Sequence, residues 1–542
     1  MMLSRRSLAA LTFAAAVAEA DVEAVLAQSS VSTPNVLYMV SDDMRPELGC
    51  YGQPRRTPNI DGLAREGVLF NSAYTQFAYC APSRNSFMTG RRPERTRCLN
   101  FLTDFRREHG DTWVSMPQLF KNAGYFTTAA GKLYHDGMDD PASWTDGNKT
   151  HPTGPYPSNQ TQWIQCKCDE GDVCDESSKG PKPNFCAITN ASRVPYTDED
   201  LALGEGLKRL DHALASGKPW YVAIGVHRPH VETRLPPGWW GTERYPDKAS
   251  VLPPKHPLAP RGAPWMSGNW YGGDYLNPAR EPGFPNRSIP AVDAIEYRRW
   301  YYAGVEYVDH MLGKAMQRLE AEPDQAARTI TIFHADHGYQ LGEGNEWSKK
   351  TDTELAVRVP LIVRVPWKTA TAGTRTEVRA ELVDIYRTLA SLAGLSDAVQ
   401  SDVQGTSLAP IFDGGAPPAA LAAKPAFSQI GSCACQVYTR LNWTARECDA
   451  GRCFHTAVED FDFMGYTMRT AEGYRYTAWA PMNASTKRVE WGGEVHDELY
   501  DLRGDKGDDM DYDGYDENVA PKHADVVARL RKELVAAVAS WY

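Results

Sequence analysis

The chain has 542 residues, 42% of them hydrophobic and 23% charged, enough to bury one large core and a smaller one and too apolar for a disordered polymer. Its formal net charge of −11 excludes a nucleic-acid binder that works through its overall field, and any anionic substrate has to be met by a local basic pocket. Past the N-terminus no apolar run has the length that crosses a bilayer, so no membrane span is expected.

Arg5 and Arg6, the small apolar run over 8–18 and the small residues near Ala20 and Ala27 predict a secretory signal within 1–30; the paired arginines equally admit a bacterial twin-arginine signal. Export predicts an extracellular or lysosome-like location, periplasmic in a bacterium. Cys166, Cys168, Cys174 and Cys186 form one cluster, and Cys433, Cys435, Cys448 and Cys453 another. Both read as disulfides pinning loops, because Cys-x-Cys spacing without interleaved histidines argues against zinc. Sequons at Asn148, Asn159, Asn190, Asn286, Asn442 and Asn483 fit a glycoprotein.

Residues 35–41 are a short apolar run bounded by Pro34 and by Asp42-Asp43, the pattern of a strand buried on both faces. Both carboxylates then sit at its carboxyl end, the edge where open parallel sheets bind ligands. Thr57-Pro58 opens a helix with Leu63 facing inward; Val68-Leu69-Phe70 and the run Cys80-Ala81-Pro82-Ser83-Arg84 follow. The tandem Arg91-Arg92 is a candidate for holding an anionic substrate. A helix is predicted over 116–123, and a strand over 126–130 leads to Lys132 and His135, suited to holding an anion and to proton transfer.

Residues 139–195, rich in Pro, Gly, Asn and Cys, read as a disulfide-pinned insertion. A helix carrying Leu203, Leu207, Leu210 and Leu214 precedes a strand over 220–226, which brings His227-Arg228-Pro229-His230 to the same edge. Residues 236–290 predict a long loop over that face. A helix over 301–319 leads to a strand over 329–333 ending at Asp336-His337, with Trp347 and Lys349 just beyond. A strand over 359–365 and a helix over 382–392 complete an alternation that predicts an α/β unit with a mainly parallel sheet across 31–415. From 425 to 542 a hairpin of 463–469 with 474–480 and a closing amphipathic helix over 526–541 predict a smaller α+β unit with an antiparallel sheet. The acidic stretch 501–516 reads as a solvated loop, since it lacks calcium-loop spacing.

Cys80-Ala81-Pro82-Ser83-Arg84 with Thr89-Gly90-Arg91 resembles the signature of type I sulfatases, in which the cysteine is converted to formylglycine. Asp42-Asp43, Lys132 with His135, His227 with His230, and Asp336-His337 match that family's pattern in order and type. The resemblance implies an alkaline-phosphatase-like fold, a sulfuric ester hydrolase, and a formylglycine-generating enzyme as partner during maturation. It also implies a calcium ion held by Asp42, Asp43, Asp336, His337 and the modified Cys80. Arg84 would brace the aldehyde hydrate, while Lys132, His135, His230 and Lys349 would contact the sulfate, with His227 and Arg92 as further groups for the substrate. Such a hydrate carries two hydroxyls on one carbon: one attacks sulfur, and the other lets the sulfated residue expel sulfate by re-forming the aldehyde.

Leu48-Gly49-Cys50-Tyr51-Gly52, Met464-Gly465-Tyr466-Thr467-Met468-Arg469-Thr470 and Tyr474-Arg475-Tyr476-Thr477 are similar to the branch that removes the 2-O-sulfate of a terminal iduronate. The implied substrate is therefore a sulfated oligosaccharide or polysaccharide. Two departures bear on uronate specificity: Tyr339 stands where the family has Trp, and Gly344-Asn345 interrupts its Gly-Glu-His-Gly-Glu-Trp run. The competing expectations are a sulfatase for another polysaccharide, a phosphonate or phosphate monoester hydrolase, and a catalytically silent binder of sulfated glycans.

Overall fold

Asn35–Asp42 (β1) is a strand with all eight residues buried, paired in parallel on both sides, so apolar side chains are wanted on both faces and no polar alternation appears. The computed structural model describes residues 33–135, 137–146, 185–187, 198–231, 233–264, 266–268, 288–433, 453, 456–504 and 510–542. The expected signal, Cys166, Cys168, Cys174, Cys435, Cys448, most of the 139–195 insertion and every sequon but Asn483 lie outside the described residues.

The central sheet adds Val68–Phe70 (β2), Phe126–Gly131 (β3), Trp220–Pro229 (β4), Thr329–Ala335 (β5), Leu361–Arg364 (β6) and Thr374–Thr376 (β7). Its seven strands run in the order β7-β2-β6-β5-β1-β4-β3. Every pairing is parallel except those of β6 with its neighbours β2 and β5. Helices include Pro58–Glu66 (α1), Cys80–Thr89 (α2), Met116–Asn122 (α3), Asp198–Ala215 (α4), Ala291–Glu320 (α5) and Asp384–Leu392 (α6). Helix α5 begins ten residues before the expected 301. Its first turns bury Arg298 and Arg299, which bond Leu341 O, Leu252 O, Glu343, Tyr245 O and Glu296, so they carry no apolar period to read.

The second sheet is antiparallel: Ala426–Ser432 (β8), Phe463–Arg469 (β9), Tyr474–Asn483 (β10), Arg488–Val489 (β11) and His496–Asp501 (β12). Strands β9 and β10 form the expected hairpin. Ala524–Ala539 (α7) buries Val527, Leu530, Leu534 and Val538. Of the second cysteine cluster, Cys433 and Cys453 form a disulfide just past β8. The two sheets meet at the segment that leads to Cys80: Gln429 N bonds Gln76 O at 2.9 Å, and Phe77, Tyr79 and Leu99 pack into the core of the second sheet. Among the described residues no helix is long and apolar enough to cross a membrane.

Candidate active site

Strands β1, β3, β4 and β5 release their chains at one edge of the sheet. At the end of β1 the register against β4 shifts between Val40 and Asp42, and Asp43 takes a left-handed φ of 64°. Aspartate tolerates that conformation better than most residues, and the Tyr301 hydroxyl holds it by donating to Asp43 O at 2.7 Å. Beyond β5, Asp336 Oδ1 accepts from the amides of His337 (2.8 Å) and Asp43 (3.2 Å), tying the two strand ends together. Two glycines bring β3 against β4. A Cβ on Gly131 would fall 1.9 Å from Gly225 O, and one on Gly225 would fall 2.1 Å from Lys132 O, so any side chain at either would push Lys132 away. Lys349 projects from a loop whose flanking residues, Ser348 and Lys350, both have positive φ.

Cys80 opens α2, a helix with all ten residues buried. Pro82 sits in the first turn, where its missing N–H is no loss, and Gly90 (φ 65°) ends the helix. The Cys80 sulfur lies 3.2 Å from Lys349 Nζ, 3.4 Å from Asp42 Oδ1, 3.4 Å from His337 Nε2 and 3.9 Å from Lys132 Nζ. One turn along, Arg84 bonds Asp336 Oδ2 (3.0 Å) and Lys132 O (2.5 Å), with its remaining nitrogen 3.5 Å from Asp42 Oδ2. Lys132 pairs with Asp42, and Lys349 with Asp43 at 2.6 Å.

The ring nitrogens are assigned from their partners. His337 Nδ1 lies 3.0 Å from Gly338 O, so it carries the proton, and the Nε2 lone pair faces Cys80. His230 Nδ1 likewise bonds Val231 O, and its Nε2 lies 3.8 Å from Asp43 Oδ2. His227 stacks on His230 at 4.4 Å, with Nε2 4.0 Å from Asp42 Oδ2. His135 stands beside them, stacked on Phe101.

Asp42, Asp43, Cys80 and His337 each offer one ligand atom, all within 4.8 Å of one another, and Asp43 Oδ2 has no hydrogen-bond partner among the described residues. Two adjacent carboxylates, one of them with an oxygen that makes no hydrogen bond, and an imidazole nitrogen facing the same point fit a divalent cation. Asp336 differs from the expected ligand set in that both its oxygens are already hydrogen-bonded, although Oδ2 lies 3.4 Å from His337 Nε2.

Burial would raise Asp42, but Lys132, Arg84 and Lys349 hold it well below the ordinary carboxylate value. Burial pushes Asp43 up to about 8, against the pull of Lys349 and with Asp42 adding to the rise. Burial, then Asp42, lifts the Cys80 thiol to about 11 despite Lys132 and Lys349, which leaves an unmodified thiol protonated and a poor nucleophile. Burial, reinforced by the neighbouring lysines, holds His135, His227 and His230 well below the ordinary imidazole value, so all three are neutral at pH 7.

One expected substrate group is not brought to this cluster. Arg92 pairs with Glu381 at 2.8 Å, its backbone amide bonds Gln404, and its guanidinium lies 4.6 Å from the Trp541 ring centroid and 5.5 Å from that of Phe427. It braces the junction of the two sheets instead, because residues far along the chain close over it. Sequence reasoning also passed over Ser83 and Thr75: Thr75 Oγ1 donates to Ser83 Oγ (2.9 Å), which donates to Asp336 O (2.6 Å). The only signal was their nearness to Cys80. Of the two departures, Tyr339 stacks on Tyr301 at 5.3 Å, and Gly344 and Asn345 both take left-handed φ values, 62° and 60°, in a short turn over Glu343–Asn345.

A family model described as Sulfatase matches residues 34–395. Iduronate 2-sulfatase of Homo sapiens is 30% identical over 529 residues, covering 88% of this chain and 90% of that protein. Iduronate 2-sulfatase of Mus musculus is 33% identical over 402 residues, covering 68% and 70%. Among solved structures, the phosphonate monoester hydrolase of Agrobacterium radiobacter superposes with a TM-score of 0.65 at 21% identity, over 94% of this chain and 96% of that one, a likeness of fold.

Proposed function

This chain belongs to the sulfatase family, whose members hydrolyse sulfate esters, and from that premise we propose that it removes the 2-O-sulfate of a terminal iduronate in a sulfated glycan. The observation that carries the reading is the Cys80 sulfur, 3.2 to 3.4 Å from Lys349, Asp42 and His337, in a site whose cations offset its carboxylates. In this reading Cys80 is converted to formylglycine by a generating enzyme during export through the secretory route.

Asp42, Asp43 and His337, with Asp336 close by, would hold a calcium ion. Together with the hydrate at position 80, that ion would supply an activated hydroxyl and offset charge on the sulfate oxygens. The chain's own groups then divide the work. Arg84 fixes the first turn of α2 against Asp336, so the residue at 80 faces the cluster. Lys132 and Lys349 place ammonium charge where negative charge grows as the S–O bond breaks. His230 has Nδ1 committed to Val231 O, which leaves Nε2 as its proton-exchanging position beside Asp43. His227 and His135 add neutral imidazoles around the sulfate.

The test is mass measurement twice over. The tryptic peptide 66–84, from protein made with the converting enzyme, is expected to carry aldehyde or hydrate at position 80; thiol throughout overturns the mechanism. The modified enzyme is then given a heparin-derived oligosaccharide ending in 2-sulfated iduronate, and one sulfate should be lost. If an aryl sulfate is cleaved while that oligosaccharide stays intact, the substrate is another sulfated glycan.

A further inference from the structure

The geometry points to Phe101 as a positioning residue that sets the plane of the His135 imidazole, an inference that rests on the proposed place of His135 at the sulfate. His230, His334 and His337 are each anchored by a bond from Nδ1 to the carbonyl of the next residue. The Nδ1 of His135 is buried with no hydrogen-bond partner among the described residues, which do not include residue 136. The ring itself lies on Phe101, centroids 3.9 Å apart and planes 24° apart. The stack continues, for Phe101 lies on Tyr79 at 4.1 Å and 12°.

Tyr79 is the residue before Cys80 and occupies the N-cap position of α2. The three rings therefore form a continuous stack from the residue before the reacting position to the His135 imidazole. Phe101 is itself held firmly: it packs against both hydrophobic cores, and its neighbour Asn100 donates to Thr456 O at 2.8 Å and accepts from Leu102 N at 3.0 Å. Offset aromatic stacking fixes the plane of a ring while leaving its nitrogens free to bond elsewhere. That suits a group which must meet a sulfate ester and exchange hydrogen bonds as the bond breaks, and a displaced ring loses rate before it loses binding.

The experiment is a double-mutant cycle on the purified, formylglycine-containing enzyme with a small aryl sulfate, rates being expressed per mole of formylglycine. Phe101→Leu is expected to lower kcat on the order of tenfold with KM within about twofold, and Phe101→Tyr, which keeps the ring, to restore it. In a His135→Gln background the Phe101→Leu change should add no further loss. Should Phe101→Leu fail to fold, Phe101→Met takes its place in the cycle. Equal losses in both backgrounds, or a change confined to KM on a glycan substrate, overturn the positioning role. An unchanged kcat in His135→Gln alone overturns the reading of His135 on which it rests, and does so separately.

Discussion

Asp43 and Glu354 are both buried carboxylates beside Lys349, one through space and the other five residues along the chain, yet they are satisfied differently. Glu354 Oε1 accepts from the Tyr74 hydroxyl at 2.7 Å, and Oε2 accepts from Arg475 of β10 at 2.9 Å. Asp43 accepts Lys349 on Oδ1 but keeps Oδ2 without a hydrogen bond among the described residues, and the last Arg84 nitrogen stays 3.5 Å from Asp42 Oδ2, an ion pair without a hydrogen bond. Burial acts on both, and the outcomes are opposite: Arg475, Arg469 and Arg358 overcome it to bring Glu354 down to about 2, while Asp43 rises to about 8. Charges paired on every oxygen join the two sheets, and charges left incomplete mark where a cation and an anionic ester belong.

The sharpest way to break that contrast is at the strand-end cluster. Cys80→Ala is expected to reduce aryl sulfate turnover to background while the melting temperature moves by no more than a few degrees. Retained turnover would place the chemistry elsewhere. Next in size is the cation: chelation should abolish turnover and added calcium restore it, and Asp43→Asn should weaken calcium binding at least about tenfold by calorimetry. The same variant should lower the melting temperature of the metal-free protein less than Glu354→Gln does, since burial lifts Asp43 to about 8 and an amide there removes little charge at pH 7.

The two regions were not equally legible in the sequence. Strands β1, β4 and β5 are buried on both faces; β1 and β4 read as nearly unbroken apolar runs and β5 as a β-branched run in which Thr329 and Thr331 alternate with isoleucines, and the polar residues past each run mark the site edge. Helix α2 gave no such signal: its run Cys80-Ala81-Pro82-Ser83-Arg84-Asn85-Ser86-Phe87-Met88-Thr89 is buried on every side, and a helix without a solvent face has no polar stripe. The junction was harder still. The partners of Arg92, Glu354 and Phe101 come from distant segments, and their ion pairs and ring stacks leave no local spacing to find. Arg92 reads as a substrate group because it forms a tandem of cations with Arg91, and nothing nearby in the sequence announces Glu381 or Trp541.

On the junction side, Glu354→Gln is expected to cost about 3 kcal/mol at pH 7, because it leaves Arg475 buried with its pair broken. The pH dependence has a definite sign. Glu354 is depressed from 4.5 to about 2 in the folded protein, so its contribution is complete above pH 4.5 and is lost as the pH falls toward 2. Urea midpoints of the two proteins at pH 7, 4 and 3 should therefore converge as the pH falls. A gap that stays constant would mean that packing rather than charge joins the sheets here.

The smallest effect is expected at Arg92, and it separates a brace from a substrate contact. Lysine keeps the charge beside Glu381 but gives up the planar group that lies against Trp541 and Phe427. Arg92→Lys should thus cost about 1 kcal/mol of stability, partly retained because Lys424 also bonds Glu381 at 2.7 Å. Its kcat and KM should match the parent enzyme on both an aryl sulfate and a sulfated oligosaccharide. A raised KM for the oligosaccharide alone, at unchanged melting temperature, would show that Arg92 reaches the glycan and that the junction takes part in binding.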